Sequence, residues 1–310
     1  MGFKIVGVGG FVPGNPISNE DLSKIVTDSD PEWVKSRTGI LSRHFADQGQ
    51  NSSDMAFAAS KEAIDNAGIP KKDLDLIIVC TTSPDTAFPS VATKLQGMLR
   101  CQNIPSFDLQ AVCAGFIYGI EAANNFILSG KYQNILLVGV DKMSSFLDME
   151  DRTTSVLFGD GAGAIILSKA DTDYPISEIY SDGKCGDILY TDQATNKIQM
   201  NGREVYRHAV EKMGASMINL LETSGLSMND IAYIVPHQAN ERIIDSIAQK
   251  ISAPAEKVVK TISKYANNSA ATIPLALWDL QKSGNIKEGD ILLITALGAG
   301  IAWGSALVQF

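Results

Sequence analysis

The sequence predicts an α/β protein made of two similar halves, 1–170 and 171–310, packed around one continuous core. Three observations carry this. An internal repeat sets Asn66–Cys80 (NAGIPKKDLDLIIVC) beside Thr223–His237 (TSGLSMNDIAYIVPH), with Gly68 and Asp73 matched by Gly225 and Asp230 at a constant offset of 157. Short apolar runs alternate with longer amphipathic segments along the whole chain, the pattern of strands interleaved with helices. A length of 310 residues with 45% hydrophobic content is enough to bury a large sheet system.

The elements follow in order. Apolar, β-branched runs place strands at 3–9, 75–81, 105–109, 135–140 and 163–168, then near 176–181 and at 231–236, 258–261, 291–296 and 303–309. Helical spacing and capping residues place helices at 19–26, 31–38, 53–67, 90–99, 114–129, 202–223, 240–250 and 270–283. The stretch 181–197, rich in Asp, Thr and Gly, reads as a loop between the halves. The repeat extends further. Cys113 falls opposite Asn267 at an offset of 154, and each opens an Ala-rich helix that ends in Ser-Gly, Ser129-Gly130 and Ser283-Gly284. Both halves finish in glycine-rich strands, Gly159–Leu167 and Gly298–Val308. The run Phe158–Ala164 lacks the Lys-Ser/Thr ending of a phosphate loop, so its glycines are read as allowing close helix and strand packing.

Composition narrows the function. A formal charge of −9 argues against general affinity for nucleic acid, so an anionic partner would need a local basic patch. No apolar run approaches a membrane span, and the chain opens on a strand-like pattern rather than a signal peptide, which predicts a cytoplasmic protein. Four cysteines without CxxC spacing and three histidines give neither a disulfide framework nor a metal centre. Cys80, Cys101 and Cys185 are read as structural thiols.

Cys113 is different. It lies in Ala111–Phe116 (AVCAGF), at the start of an apolar, small-residue segment. Unpaired N–H groups in the first turn of a helix pull a thiol below its free pKa of about 8.5. An apolar-flanked cysteine is usually a small buried hydrophobe; the duplication is what singles this one out. Halves packed about a pseudo-twofold axis bring equivalent strand ends and helix starts together, so Cys113 from one half meets His237 and Asn267 from the other. His237 stands at the carboxyl end of a strand, where open β/α sheets present their chemistry.

Seven segments carry a family resemblance that covers essentially the whole chain: Arg37–Ile40 (RTGI), Ala87–Ser90 (AFPS), Ala111–Phe116, Phe158–Ala164 (FGDGAGA), Pro236–Asn240 (PHQAN), Asn267–Ala271 (NNSAA) and Trp303–Leu307 (WGSAL). In this order they resemble β-ketoacyl-acyl-carrier-protein synthase III, the initiating condensing enzyme of type II fatty-acid synthesis in the thiolase superfamily. The resemblance implies a five-layer α-β-α-β-α thiolase-like fold, a homodimer, and a catalytic triad of Cys113, His237 and Asn267. It further implies acyl transfer from an acyl-CoA to Cys113, then decarboxylative condensation with malonyl-acyl carrier protein, with CoA as part of a substrate and no resident cofactor.

Other roles follow from the resemblance alone. The oxyanion hole would use the backbone N–H groups of Cys113 and Ala299, although the family usually has glycine at 299 and at Ala266. Trp33 and Arg152 would sandwich the CoA adenine, Arg37 and Thr38 would lie near its phosphates and base, and Gly202, Tyr206, Ala239 and Asn240 would line the tunnel. Phe88 would reach across a dimer interface to close the partner's acyl pocket. An acidic carrier protein would dock on the helix 240–250 through Arg242 and Lys250, with Arg207 and Lys212 as reserves because Glu241, Asp245 and Gln249 thin the patch. Three rivals stand beside this reading: a secondary-metabolic condensing enzyme or acyltransferase with the same triad, a cysteine hydrolase using Cys113 and His237, and an inactive binding subunit. Joint retention of Cys113, His237 and Asn267 weighs against the last, and the lack of a His-orienting partner adjacent in sequence weighs against the second.

Overall fold

Alternation along the strands creates three separate apolar cores, and the layers follow from them. The computed structural model describes residues 2–310. In chain order its elements are β1 (Gly2–Phe11), β2 (Ile17–Ser18), α1 (Asn19–Leu22), α2 (Pro31–Thr38), β3 (Ser42–Arg43), α3 (Ser52–Ala67), β4 (Leu76–Cys80), α4 (Val91–Leu99), β5 (Ser106–Leu109) and α5 (Gly115–Leu128). They continue with β6 (Asn134–Lys142), α6 (Arg152–Ser155), β7 (Asp160–Ala170), β8 (Ile176–Ser181), β9 (Leu189–Thr191), β10 (Ile198–Met200), α7 (Gly202–Ser224), β11 (Tyr233–Pro236), α8 (Glu241–Lys250), α9 (Ile262–Tyr265), α10 (Thr272–Lys282), β12 (Ile291–Gly298) and β13 (Ala302–Gln309).

Successive strand side chains point to opposite faces. Ile77, Val79, Leu136 and Val138 therefore pack outward on α3 and α4, through Met55, Ala59 and Leu95. Their neighbours Leu76, Ile78, Ile135 and Leu137 face inward, onto Phe116 and Ile120 of α5, Ile273 and Leu277 of α10, and Leu292 and Ile294 of β12. On the far side, Leu293, Leu297 and Leu307 pack on Met213 and Met217 of α7 and Ile243 and Ile247 of α8. The result is helices, sheet, helices, sheet, helices.

The two strand blocks are copies in register as well as in order. One runs β1-β7-β6-β4-β5 and the other β8-β13-β12-β11, and they touch where β1 pairs in parallel with β13 at Lys4 and Gln309. Leu76 opposes Ile135 in the first block and Tyr233 opposes Leu292 in the second, so both partners keep the offset of 157. Gly68 and Gly225 end α3 and α7 in the left-handed conformation, with φ 66° and 71°, which glycine adopts without a Cβ penalty. Near the end of the first half, a Cβ on Gly163 would lie 2.7 Å from Pro274 of α10, so its absence is what allows helix and strand to approach.

Several elements differ from the sequence expectation. Helix 19–26 shortens to α1, because the chain turns after Leu22 through hydrogen bonds to Asn19 and Leu22 carbonyls. Strand 258–261 reduces to one parallel bridge between Val258 and Ile234, on the β11 edge where β5 flanks β4 in the other block. The loop 181–197 contains a 3-10 turn, Gly183–Cys185, and β9, which pairs with β10 as a hairpin separate from the main sheet.

The offset of 154 also fails at the helix starts. Val112 and Ser269 both adopt left-handed φ, 49° and 50°, and both open 3-10 turns, Val112–Ala114 and Ser269–Ala271. These lead into α5 at Gly115 and α10 at Thr272. The offset thus remains 157 and the counterpart of Cys113 is Ala270. The Ser-Gly ends sit at 154 because α10 has 11 residues and α5 has 14.

Candidate active site

Cys113 is presented by a strained turn. It follows Val112, a β-branched residue at φ 49°, a conformation that costs on the order of 1–3 kcal/mol and that surrounding structure must hold in place. The thiol is only 5% exposed. Burial pushes it up to about 12, the nearby Asp141 charge adds to this, and the Ser269 hydroxyl and the cysteine's own N–H work in the opposite direction. Burial thus works against the lowering expected from the helix start.

His237 follows β11 and is anchored by its N–H, which donates to the Thr295 carbonyl at 2.8 Å. Gln238 pins the turn from behind, donating to the Pro236 and Val259 carbonyls and accepting from the N–H groups of Thr261 and Ile262. The ring is 3% exposed. Burial drives its pKa down to about 3, so the imidazole is neutral. Its Nδ1 lies 2.6 Å from Thr272 Oγ1.

Asn267 is held by a bridge to Phe158, its N–H donating to Leu157 O and its carbonyl accepting from Gly159 N, both at 3.0 Å. The Ser269 N–H donates to Asn267 Oδ1 at 2.9 Å, which assigns the amide oxygen and leaves the NH2 end as the donor. Ala266 before it has φ 57° and ψ −158°, a region occupied almost only by glycine. Ala299 is not left-handed, whereas Gly300 has φ 127°. The Cβ at 299 is therefore accommodated and the strain falls at 266.

Cys113, His237 and Asn267 line one cavity of about 250 Å³. Arg37, Gly202, Tyr206, Ala239, Asn240 and Arg242 line the same cavity. Cys113 also lines a second one of about 620 Å³, with Ala299, Gln110, Tyr118, Met143 and Leu189. The sulfur stands between two chambers. Trp33 and Arg152 lie outside the lining but touch each other, the guanidinium 5.3 Å from the indole centroid, with Arg152 Nη1 donating to Asp28 O. Thr38 is buried, and its hydroxyl donates to Val34 O and accepts from the Ile40 N–H. Phe88 is 85% exposed and lines neither cavity of its own chain. Lys250 Nζ donates to the Val210 and Glu211 carbonyls at the side of α7, so it is less free than the sequence suggested; Arg242 is exposed and donates to Ser36 O.

The chain matches two family models, 3-oxoacyl-[acyl-carrier-protein (ACP)] synthase III over residues 107–183 and the C-terminal part of the same synthase over 221–310. It is 52% identical to the β-ketoacyl-[acyl-carrier-protein] synthase III of Rickettsia prowazekii, with 100% of both chains covered. The chain belongs to the β-ketoacyl-acyl-carrier-protein synthase III family. It is an acyltransferase, the initiating condensing enzyme of fatty-acid synthesis. The synthase III from Aquifex aeolicus VF5 superposes with a TM-score of 0.96 at 42% identity, covering 100% of each chain. The priming β-ketosynthase of the R1128 polyketide pathway gives 0.95 at 31% identity, covering 99% of this chain and 96% of that one. The thiolase-like fold is common to these synthases.

Sequence reasoning missed three residues that pack behind the candidate site of this synthase III. Thr272 sits behind His237, Asp141 accepts from the Ala270 N–H, and Gly298 lies against the Cys113 turn. The offset of 157 relates Asp141 to Gly298 and would have flagged both, had it been carried past the helix starts.

Proposed function

We propose that Cys113 is the acylated nucleophile and that His237 and Asn267 serve the condensation step. The observation that carries this is the sharing of one cavity by all three, with Cys113 also facing the second chamber. In the first half-reaction Sγ attacks the carbonyl of an acyl-CoA. The C–S bond to CoA breaks, a new C–Sγ bond forms, and the thiol proton ends on the CoA sulfur. The N–H groups of Cys113 and Ala299 would stabilise the oxyanion. In the second, malonyl-acyl carrier protein loses CO2, and its enolate oxygen takes hydrogen bonds from the His237 ring N–H and the Asn267 NH2 before its carbon attacks the acyl-cysteine carbonyl; the C–Sγ bond breaks, 3-oxoacyl-acyl carrier protein leaves, and Sγ takes a proton from water. Neutral donors suit this step, because a carboxylate would repel the growing charge.

The smaller cavity is read as the CoA and carrier arm, with Arg37, Gly202, Tyr206, Ala239 and Asn240 along it. Trp33 and Arg152 are neighbours, but the guanidinium lies directly against the indole, so to clamp an adenine it would have to swing off the ring and let the base in between; the Thr38 hydroxyl is already taken by Val34 O and the Ile40 N–H. The larger chamber is read as the acyl pocket. A homodimer is supported by β5, an unpaired sheet edge, and by the exposed Phe88, a residue suited to closing a partner's pocket. Carrier docking would centre on Arg242. Residues 1–170 and 171–310 are taken as the duplicated halves, although α5 and α10 pack between both sheets. We place the enzyme in the cytoplasm, with CoA thioesters; no helix among the described residues is long and apolar enough to cross a membrane.

The test is intact-mass analysis after incubation with a panel of acyl-CoAs. Wild-type protein should gain one acyl group, whose size reports the primer, and Cys113→Ala none. His237→Ala and Asn267→Ala should still gain it but lose most condensation with malonyl carrier protein. Acylation of Cys113→Ala at the wild-type level would refute the nucleophile assignment.

A further inference from the structure

Among the described residues no carboxylate meets the His237 ring. The only hydrogen-bond partner of its ring among the described residues is Thr272 Oγ1, 2.6 Å from Nδ1. The distinction matters because a carboxylate can only accept, and would hold the proton on Nδ1 and leave Nε2 a base. A hydroxyl can also donate. We propose that Thr272 is a positioning residue: its hydroxyl donates to His237 Nδ1, orients the ring, and keeps the imidazole proton on Nε2, the nitrogen left free to serve the enolate oxygen.

The direction of the bond follows from the surroundings of Thr272. Its side chain is 2% exposed, and no carbonyl or other acceptor among the described residues takes its proton. A threonine within a helix commonly donates to the carbonyl four residues back. Thr272 stands at the first position of α10, and its hydroxyl makes no bond to the Asn268 carbonyl four residues back; its one hydrogen-bond contact among the described residues is His237 Nδ1. Were Nδ1–H the donor, the hydroxyl hydrogen would be buried without an acceptor, which costs more than an unfilled lone pair. Donation to Nδ1 satisfies both groups. Burial also holds the ring neutral, so one nitrogen alone carries a proton and the partner of the other decides which.

The proposal rests on the assignment of His237 to condensation, and the experiment separates the two. Thr272→Val keeps the shape of the side chain and removes the hydroxyl; Thr272→Ser keeps the hydroxyl. Leaving a buried polar group without its hydrogen-bond partner costs about 10- to 100-fold in an equilibrium or rate, so Thr272→Val should lose that much condensation with malonyl carrier protein, while mass-detected acylation of Cys113 stays near wild type and shows that the variant is folded. Thr272→Ser should restore condensation. Nitrogen-15 spectra of labelled histidine, with the His237 signal assigned by its loss in His237→Ala, should show the Nε2–H tautomer in wild type and in Thr272→Ser, and a shift toward Nδ1–H in Thr272→Val. Wild-type condensation by Thr272→Val, or an Nδ1–H tautomer in the wild-type protein, overturns the proposal. Normal condensation by His237→Ala would instead overturn the role of His237, and the tautomer measurement would still decide what Thr272 does.

Discussion

The starts of α5 and α10 are the same structure put to opposite uses. Each follows a left-handed residue, Val112 or Ser269, and a 3-10 turn, and each faces the end of an equivalent strand, β12 or β6. At α5 the facing residue is Gly298. A Cβ there would lie 2.7 Å from Ala111 O and 2.8 Å from Cys113 N, so the strand end runs directly against the turn and the thiol is left facing the cavities. At α10 the facing residue is Asp141, 157 positions earlier, fully buried. Its carboxylate accepts from Ala270 N at 3.1 Å, from Thr82 N and Ser83 N, and from the hydroxyls of Thr81, Thr82 and Ser83. Duplication supplied two helix starts, and one residue on the facing strand separates the open one from the plugged one.

The largest effect should come from closing the open start. Gly298→Ala forces backbone against backbone, which cannot relax as a flexible side chain would. Overpacking of this kind costs about 1–3 kcal/mol, and an ångström of displacement at a reacting atom costs on the order of 100-fold in rate. Acylation followed by mass, alongside thermal unfolding, should show both losses; a fully active Gly298→Ala enzyme with an unchanged melting temperature would remove the basis of the comparison.

Opening the plugged start should act on stability more than on chemistry. Asp141→Ala leaves several buried N–H groups unpaired, at about 1–3 kcal/mol each, so urea unfolding should report at least about 3 kcal/mol lost. Acylation of the folded fraction should fall less than in Gly298→Ala. If Asp141→Ala unfolds at the wild-type urea concentration, the carboxylate is not what holds that helix start.

A subtler contrast concerns the thiol. Because burial raises its pKa toward about 12, Cys113 is protonated throughout the neutral range. The thiolate is the reactive form, so alkylation by iodoacetamide should climb about tenfold per pH unit from 6 to 9. A plateau below pH 9 would mean that the helix start prevails over desolvation.

The smallest effect is expected at Ala266. Replacing it with glycine relieves the strain of φ 57° and should stabilise the fold by about 1 kcal/mol after the entropy of glycine in the unfolded chain is counted. Condensation should be unaffected, and a lower melting temperature would contradict the assignment of strain.

What the sequence by itself determined was everything that short-range physics writes along the chain. Alternating apolar residues marked the core strands, the glycines at 68 and 225 marked equivalent helix ends, and the residue types at 113, 237 and 267 marked a thiol and two polar partners drawn from separate halves. These signals are local, or repeat at a fixed spacing, and survive without coordinates. Only the tertiary structure could decide the rest, because each remaining question turned on neighbours distant in sequence. The helix starts could be aligned only once backbone conformation showed Cys113 opposite Ala270. Burial raises the thiol, and burial is a property of the packed site and not of the helix that starts beside it. Lys250 reads as a free cation until α7 offers it two carbonyls, and Thr272 reads as an ordinary helix residue until the fold sets its hydroxyl against an imidazole 35 positions away.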